Sequence, residues 1–254
     1  MPGGGDPPMM SDGPVVGVVG PEADAVAAAV RAAGGVPDAA PATEVDGAAY
    51  VVAVGEPALL AVARARPDAL VLPVAAGRGV RSVPRAATEA AVERVLAGEY
   101  DRERYPLVDV TVTDRTTATA LMDVMLVSAE PAQISEYAVS ADGERVAQFR
   151  SDGVVVATPA GSPGYADAAG GPVLASGADV ATVVPVAPFA TDADHWVLPF
   201  DPLCLFVERD DPAVQLVADD RVVGRVDPTD PVRLSSDGSV DVAVVAASES
   251  RFEM

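Results

Sequence analysis

The N-terminal part of the chain, up to Gly98, alternates short apolar runs with longer segments of helical composition. The apolar runs are rich in β-branched residues, which is typical of buried strands. The segments between them are rich in Ala, Glu and Arg, and glycines follow two of them, as they commonly do where helices end. We predict the strands Val15–Val19, Ala49–Val54 and Leu70–Val74, and the helices Glu22–Ala33, Pro57–Arg66 and Ala86–Ala97. This alternation predicts an α/β layer with a mainly parallel sheet.

From about Leu107 the pattern changes to short runs that alternate Val with Thr, Ser and Ala, and long helical segments disappear. Such runs at close spacing are typical of strands in a β-rich fold. Asp142-Gly143 and Asp237-Gly238 lie between such runs and predict tight turns. The predicted strands are Val108–Thr113, Val124–Ala129, Ile134–Ser140, Val146–Arg150, Val154–Thr158, Val183–Val186, Leu203–Val207, Val214–Ala218, Val232–Leu234 and Val240–Val245.

This change of pattern predicts an α/β plus all-β fold with two domains. Residues 14–100 form the predicted N-terminal α/β domain and residues 101–254 the C-terminal β-rich domain, with the boundary near Gly98–Pro106. The tail of the chain could return to the first domain. The sequence MPGGGDPPMMSDG lacks the charged and apolar regions of a signal peptide, and we expect residues 1–13 to be a short disordered lead.

The charge of the chain is extreme: 38 acidic residues stand against 17 basic ones, for a net charge of −21. Every Lys or Arg position is Arg, so the chain contains no Lys. A surface this acidic repels phosphate backbones and anionic membranes, so we expect neither nucleic acid nor a membrane as a partner. Because screening in molar salt makes a large net charge tolerable, the composition indicates the cytoplasm of an extreme halophile.

Chemistry-bearing residues are concentrated between Gln148 and Leu174, in QFRSDGVVVATPAGSPGYADAAGGPVL. A charged Arg-Ser-Asp-Gly turn leads into a buried strand, which ends in Thr158–Ser162, and Gly170-Gly171-Pro172 follows. Glycines allow close backbone approach to a ligand, and hydroxyls and amides at a strand end can hold ribose and phosphate. By composition alone, however, the segment is equally typical of a turn-rich loop.

The order of these residues resembles a segment of the NAD kinase family, which runs from a Gly-or-Ser-Asp-Gly turn through Ser-Thr-Pro-Thr-Gly-Ser-Thr-Ala-Tyr to Ser-Ala-Gly-Gly-Pro. The departures are Ala160, Pro163 and Gly164. The matching positions are Asp152, Gly153, Thr158, Pro159, Gly161, Ser162, Tyr165, Ala169, Gly170, Gly171 and Pro172. On these residues the chain is identified as a member of that family.

The resemblance implies an NAD kinase-like two-domain fold that binds NAD between its domains and phosphorylates it at the ribose 2′-hydroxyl to give NADP. It implies ATP or polyphosphate as the phosphoryl donor, Mg²⁺ brought in by ATP, and a homo-oligomer, a dimer or tetramer, formed through the β-rich domain. It assigns the catalytic carboxylate to Glu56 and no metal ligand. The nucleotide-binding positions that it implies are Gly55, Met122, Asp123, Arg150, Asp152, Thr158, Gly161, Ser162, Pro163, Gly164, Tyr165 and Ala166.

Several ligand positions of the family carry different residues in this chain. The family's Gly-Gly-Asp-Gly-Thr motif aligns with Val54–Ala58, which keeps a carboxylate in Glu56. Pro57 has no N–H to donate, and Val54 adds a side chain where the family has none. A thioether, that of Met122, replaces the amide of the family's Asn-Glu pair, and Phe189 replaces a histidine. The phosphate-binding loop is therefore expected to be damaged.

Other conspicuous residues have simpler explanations. His195 is expected to be a surface or packing group, Trp196 a core or interface group, and the single cysteine, Cys204, a buried inert thiol. The acidic residues that we expect to be solvated surface charge are Asp192, Asp194, Asp201, Asp210, Asp211, Asp219 and Asp220.

Three functions remain open on the sequence. The first is a working NAD kinase, and the second is a catalytically impaired homologue that acts as a nucleotide-binding or regulatory protein. The third is a kinase with another acceptor, such as a lipid or a sugar. The combined changes at Val54, Pro57, Met122, Pro163 and Phe189 favour impaired activity.

Overall fold

The computed structural model of the protein describes residues 13–39, 41–45, 47–113, 115–130, 133–190, 194–209, 212–228 and 230–252. Of the predicted lead, residues 1–12 lie outside these ranges. The surface positions predicted for Asp192, Asp210 and Asp211 also lie outside the described residues.

The N-terminal part of the chain forms parallel strands flanked by helices. The strands pair in the order β2-β1-β3-β4. Valine and leucine side chains on one face of these strands pack against α2, and those on the other face pack against α1 and α3. The elements are β1 (Val15–Val19), α1 (Ala23–Ala32), β2 (Val36–Asp38), a 3₁₀ turn (Ala42–Glu44), β3 (Tyr50–Val54), α2 (Glu56–Ala65), β4 (Leu70–Val74), a second 3₁₀ turn (Arg85–Ala87) and α3 (Thr88–Leu96).

The rest of the chain is β-rich, which confirms the predicted α/β plus all-β fold. The larger sheet continues as β4-β16-β13-β8-β9, with β5 paired to β16 and β6, and the smaller sheet has the order β12-β11-β10-β7-β14-β15. Apolar side chains of both sheets form a common core. The elements are β5 (Asp101–Val112), β6 (Arg115–Ala120), β7 (Asp123–Ser128), β8 (Ser135–Ala141), β9 (Glu144–Ser151), β10 (Gly153–Ala157), a short helical turn (Ser162–Ala166), β11 (Val180–Val186), β12 (Trp196–Pro199), β13 (Leu203–Arg209), β14 (Val214–Ala218), β15 (Arg221–Val226) and β16 (Val232–Val244).

The long strand β16 joins the two parts of the chain. It pairs in antiparallel fashion with β5 and β13, and Val242 then pairs in parallel fashion with Val71 of β4. Beyond β16, the N–H of Glu249 donates to the carbonyl of Ser82 at 2.9 Å. The larger sheet is therefore continuous across the predicted domain boundary. No helix within the described ranges is long and apolar enough to cross a membrane.

Of the two predicted Asp-Gly turns, one is confirmed and one is wrong. Asp142-Gly143 is the turn between β8 and β9, and both residues have positive φ, 53° and 77°. Asp237-Gly238 instead lies within β16, between a residue paired with Val108 and one paired with Pro106. The extra residue forms a bulge, in which Gly238 has a φ of 78°. A tight hairpin turn and a bulge of this kind both need residues with positive φ, so the Asp-Gly dipeptide alone does not distinguish them.

Candidate functional site

Glu56 is the first residue of α2, directly after the carboxyl end of the parallel strand β3. The preceding Gly55 has φ 87° and ψ 155°, a conformation that side chains rarely permit, so the sharp passage from strand to helix depends on glycine. The N–H of Gly55 donates to the carbonyl of Val74 at 2.8 Å, which ties the turn to β4. Ligands bind beyond the carboxyl ends of parallel strands, so the exposed Glu56 carboxylate stands where a ligand is expected.

The neighbours of Glu56 are accommodated without strain. Pro57 lies in the first turn of α2, where the helix does not use the missing N–H, but the turn has one donor fewer to offer an anion. Val54 is 1% exposed, and its side chain packs in the core beneath α1 and α3. The side chain that Val54 adds relative to the family's motif therefore lies in this core.

The opposite wall of the site is formed by Met122, which lies between β6 and β7, and by Asp123, the first residue of β7. A side chain on Gly161 would lie 2.0 Å from the Met122 carbonyl oxygen, so this close approach requires glycine. The hydroxyl of Thr158 donates to the Leu121 carbonyl at 2.6 Å and accepts from the N–H of Ala160 at 3.0 Å. These contacts fix the loop after β10 against the wall.

The side chain of Met122 lies against the loop that follows β4. A side chain on Gly79 would lie 2.7 Å from the Met122 sulfur and 2.7 Å from the carbonyl oxygen of Ala160. A side chain on Gly77 would lie 2.9 Å from Oε2 of Glu56. The two glycines therefore bring the backbone of this loop close to both walls of the site.

Asp219 is a third carboxylate of the site, and the sequence does not reveal it. It lies in the two-residue turn between β14 and β15, with a φ of 50°. Its side chain accepts hydrogen bonds from the N–H groups of Leu121, Met122 and Asp123 at 3.0, 2.7 and 3.2 Å. The prediction of solvated surface charge is therefore wrong for Asp219.

For the neighbouring Asp220 that prediction is confirmed, because Asp220 is exposed and pairs with Arg64 at 2.8 Å. The sequence carries no signal for the N–H partners of Asp219, which lie 96 to 98 positions earlier in the chain.

The three carboxylates influence one another. Burial, and to a lesser extent the negative charges of Asp219 and Glu56, together raise the pKa of Asp123 to about 7. Burial also raises the pKa of Asp219, although the three N–H groups and Arg64 oppose that shift. Asp123 can therefore hold a proton near neutral pH. When protonated it can donate a hydrogen bond to a bound hydroxyl, and when ionised it can accept one from that hydroxyl.

We expect this raised pKa to appear in the pH dependence of stability. An unfolded Asp ionises near pH 4, whereas folded Asp123 ionises near 7, so the folded state binds more protons between these values and stability falls as pH rises. Asp123→Asn should flatten this decline and stabilise the protein at pH 8 by about 2–4 kcal/mol. Urea unfolding from pH 4 to 8 measures the effect. Asp220→Asn is the matched control, and an equal gain in both variants would contradict the assignment.

The predicted positions of the loop after β10 are only partly accessible. Ser162 is buried, and its hydroxyl donates to the Pro159 carbonyl at 2.9 Å and accepts from the N–H of Leu174 at 2.9 Å. Pro163 is buried, and Ala166 packs in a small apolar cluster. Gly164 and Tyr165 are exposed, so these two can present surface to a ligand.

Arg150 and Asp152 lie at the other end of β10. The length of that strand, five residues or about 17 Å, separates Asp152 from Thr158. The Arg150 guanidinium lies 5.7 Å from the ring centre of Phe189, which is 71% exposed. The structure therefore brings Glu56 and Asp123 together but does not place Arg150 or Asp152 beside them.

The single residues largely follow their expected roles. His195 is exposed, and Trp196 packs against the common core with its ring stacked on Phe149 at 5.8 Å. Asp194 and Asp201 are exposed as predicted. The prediction for Cys204 is wrong in part, because the thiol is half-buried rather than buried; burial still raises its pKa. Alternate positions of β13 face the core, and Cys204 occupies one of the others.

Arg251 is a second residue that the sequence did not reveal. It is 3% exposed, and its guanidinium donates to the carbonyls of Pro159 and Leu174, the latter at 3.4 Å. It also lies 5.4 Å from the ring centre of Tyr105. Arg251 therefore holds both ends of the loop that carries Ser162 and Tyr165. An Arg next to polar residues near the end of a sequence gives no indication of burial.

A match to a protein family covers the part of the chain that contains Asp123, Thr158 and Asp219. Residues 121–245 match the family model described as the ATP-NAD kinase C-terminal domain. The NAD kinase of Methanosarcina acetivorans is 42% identical over 110 residues, which make up 43% of this chain and 40% of that protein. The NAD kinase of Methanothermobacter thermautotrophicus is 38% identical over 103 residues, 41% of this chain and 36% of that protein. The chain thus aligns with well under half the length of these relatives.

Similarity of fold extends over most of the chain. The crystal structure of an NAD kinase from Archaeoglobus fulgidus in complex with ATP superposes with a TM-score of 0.76 at 21% identity, and the match covers 90% of this chain and 92% of that one. Yeast NADH kinase complexed with NADH gives a TM-score of 0.79 at 14% identity, covering 95% and 89%. Through residues 121–245 the chain therefore belongs to the NAD kinase family, and its fold matches that of the two kinase structures almost throughout.

Proposed function

We propose that the protein phosphorylates NAD at the ribose 2′-hydroxyl and so produces NADP. The observation that carries the proposal is the loop that follows β4, in which Gly77 approaches the Glu56 carboxylate and Gly79 approaches Met122, the residue before Asp123. A carboxylate at the position of Glu56 can orient the hydroxyl that attacks the phosphoryl group and accept its proton. Asp123 then binds a neighbouring hydroxyl of the ribose.

The backbone of the site suits a nucleotide. Glycines at positions 77, 79 and 161 bring peptide groups close to the space between the two walls. Phosphoryl transfer depends mainly on positioning and on charge stabilisation, so such a wall can contribute by fixing the substrates. We propose ATP or polyphosphate as the donor, and Gly164 and Tyr165 as further contacts for the nucleotide.

Mg²⁺ would enter with ATP and be held mainly by the phosphates. Within the described ranges, no group of three or more His, Cys, Asp or Glu side chains is arranged to hold a metal ion. In this proposal Glu56 and Asp123 accept hydrogen bonds from ribose hydroxyls, and the ion is carried by the substrate.

Incubation of the purified protein with NAD, Mg²⁺ and either ATP or polyphosphate, in high salt, tests the proposal. We expect NADP to form with at least one donor. Calorimetry with NAD, NADP and ATP provides the second arm. The absence of both turnover and binding would exclude the kinase and every nucleotide-binding alternative.

A catalytically impaired nucleotide-binding or regulatory homologue is the second candidate, and Met122 and Pro57 favour it. The Met122 thioether lies against Gly79, where an amide would offer both donor and acceptor groups. Pro57 removes one donor from the first turn of α2. Binding of NAD or ATP without NADP formation would select this candidate.

Replacing the thioether should restore part of any lost rate. We expect Met122→Asn to raise the rate of NADP formation about tenfold, the effect of one hydrogen bond to a polar substrate group. Met122→Leu is the matched control, since it keeps the shape without a polar group and should give no increase. Equal rates for the two variants in the same assay would rule out this role for position 122.

We further propose that the protein works in the cytoplasm of a halophile and as a homo-oligomer. The net charge of −21 and the absence of Lys support the first part. The second is carried over from the resemblance to the family, and sedimentation in high salt tests it; a monomer would refute it.

A further inference from the structure

A cavity of about 560 Å³ opens at the edge of the larger sheet opposite to Glu56. Tyr50, at the start of β3, and Asp68, just before β4, line one side of it. Tyr100, Arg102 and Arg104 line it from the start of β5. The strand β3 runs away from this cavity over five residues, so Glu56 lies about 17 Å away at its far end. The cavity is therefore separate from the three carboxylates.

Two guanidinium groups face this cavity. Arg102 and Arg104 alternate along β5 and so share a face of the sheet. Asp241 of β16 holds Arg104 through contacts of 2.9 Å to Nε and 3.4 Å to Nη2. The Asp241 carboxylate is 3.9 Å from Arg102, which is too far for a hydrogen bond. Arg102 thus keeps N–H donors available for an anion, and Arg104 is held in place beside it.

Two aromatic rings form a wall next to these groups. Tyr50 and Tyr100 meet edge to face, with ring centres 6.4 Å apart and planes at 80°. The Arg102 guanidinium lies 5.8 Å from the centre of the Tyr100 ring, and its hydrogen bond to Tyr100 lowers the pKa of the phenol. A planar group can pack on this wall while an anionic group attached to it reaches Arg102.

The local charge differs from that of the chain as a whole. The chain has 38 acidic and 17 basic residues, but Arg102 and Arg104 here face only the carboxylates of Asp68 and Asp241 among the residues that line the cavity. The acidic surface of the chain repels anions in general. At this cavity the charges balance and one guanidinium is incompletely paired, so an anion can bind here. Arginine also matches the bidentate geometry of phosphate.

We propose that this cavity binds a nucleoside monophosphate, with the base on the wall formed by Tyr50 and Tyr100 and the phosphate on Arg102. Its volume lies within the range of small-molecule sites. The proposal does not depend on the reaction at Glu56, and it describes a second ligand site at the opposite end of the parallel strands.

Calorimetry with AMP in phosphate-free buffer tests the proposal. We expect one AMP to bind at this cavity, and Arg102→Gln and Tyr100→Leu each to weaken that binding at least tenfold. Arg145→Gln is the matched control, because Arg145 is exposed and paired with Glu208 at 2.7 Å outside the cavity. The control should leave AMP binding unchanged, as should Asp123→Asn in the carboxylate site.

Adenosine and ribose 5-phosphate separate the two parts of the ligand. Each should bind more weakly than AMP. Of the two, only ribose 5-phosphate should bind more weakly to Arg102→Gln than to the wild type. Arg102→Lys keeps the charge without the planar fork and should retain intermediate affinity. The proposal fails if AMP does not bind, if Arg102→Gln binds it normally, or if Asp123→Asn abolishes the binding.

Discussion

Glu56→Gln is expected to lower the rate of NADP formation by about a hundredfold or more, the contribution of a positioned general base. Glutamine keeps the length and polarity of the side chain but cannot accept the proton of the attacking hydroxyl. The N-terminal turn of α2 should be retained, because Gly55 and its hydrogen bond to Val74 are untouched. Initial rates at saturating NAD and donor measure the effect.

Glu89→Gln is the matched control for this variant. Glu89 lies in the first turn of α3, just as Glu56 lies in the first turn of α2, and both side chains are exposed. The control removes the same charge near a helix N-terminus, so its rate should match that of the wild type. A Glu56→Gln enzyme as fast as the control would exclude Glu56 as the catalytic carboxylate.

Arg251→Ala is expected to reduce the free energy of unfolding by about 3–5 kcal/mol, because it leaves buried carbonyl oxygens without their donor. Those carbonyls belong to Pro159 and Leu174, and the side chain also leaves the face of Tyr105. Urea unfolding at neutral pH measures the loss. Arg251→Lys keeps the charge but has fewer donors, and its stability should be intermediate.

Arg94→Ala is the control for this prediction, since Arg94 is an exposed arginine of α3 that pairs with Glu99 at 3.4 Å. Exposed ion pairs contribute about 0–1 kcal/mol, so the control should be close to wild type. If the two alanine variants lost equal stability, Arg251 would not be the residue that holds the loop from Pro159 to Leu174.

The parallel strands could be predicted from sequence because they are buried on both faces. Val15–Val19 and Leu70–Val74 are continuous apolar runs, and their observed bounds match the predicted ones. β5 was predicted too short, because its first residues, Asp101–Arg104, are charged. Their strand structure comes from pairing with β16, a partner more than a hundred positions away, which local pattern does not reveal.

The residues of the candidate site also divide into those that could be located from the sequence and those that could not. Glu56 could be located because the resemblance aligns Val54–Ala58 with the family's Gly-Gly-Asp-Gly-Thr motif, and Glu56 directly follows a strand and begins a helix. Asp219 and Arg251 could not, because each acts through backbone groups of a distant segment. Every residue has a backbone carbonyl, and every residue except Pro has a backbone N–H. The sequence therefore contains no signal for such a partner.

The position of β16 also affects how the protein forms as it is synthesised. Ribosomes release the chain from its N-terminus, but β4 gains its neighbour on one side only when Val242 reaches Val71. Until then β4 presents an open strand edge, which can pair with another nascent chain. Contacts between segments this distant in sequence form slowly. In the interval between the synthesis of β4 and of β16, this open strand edge is therefore a site at which aggregation can begin.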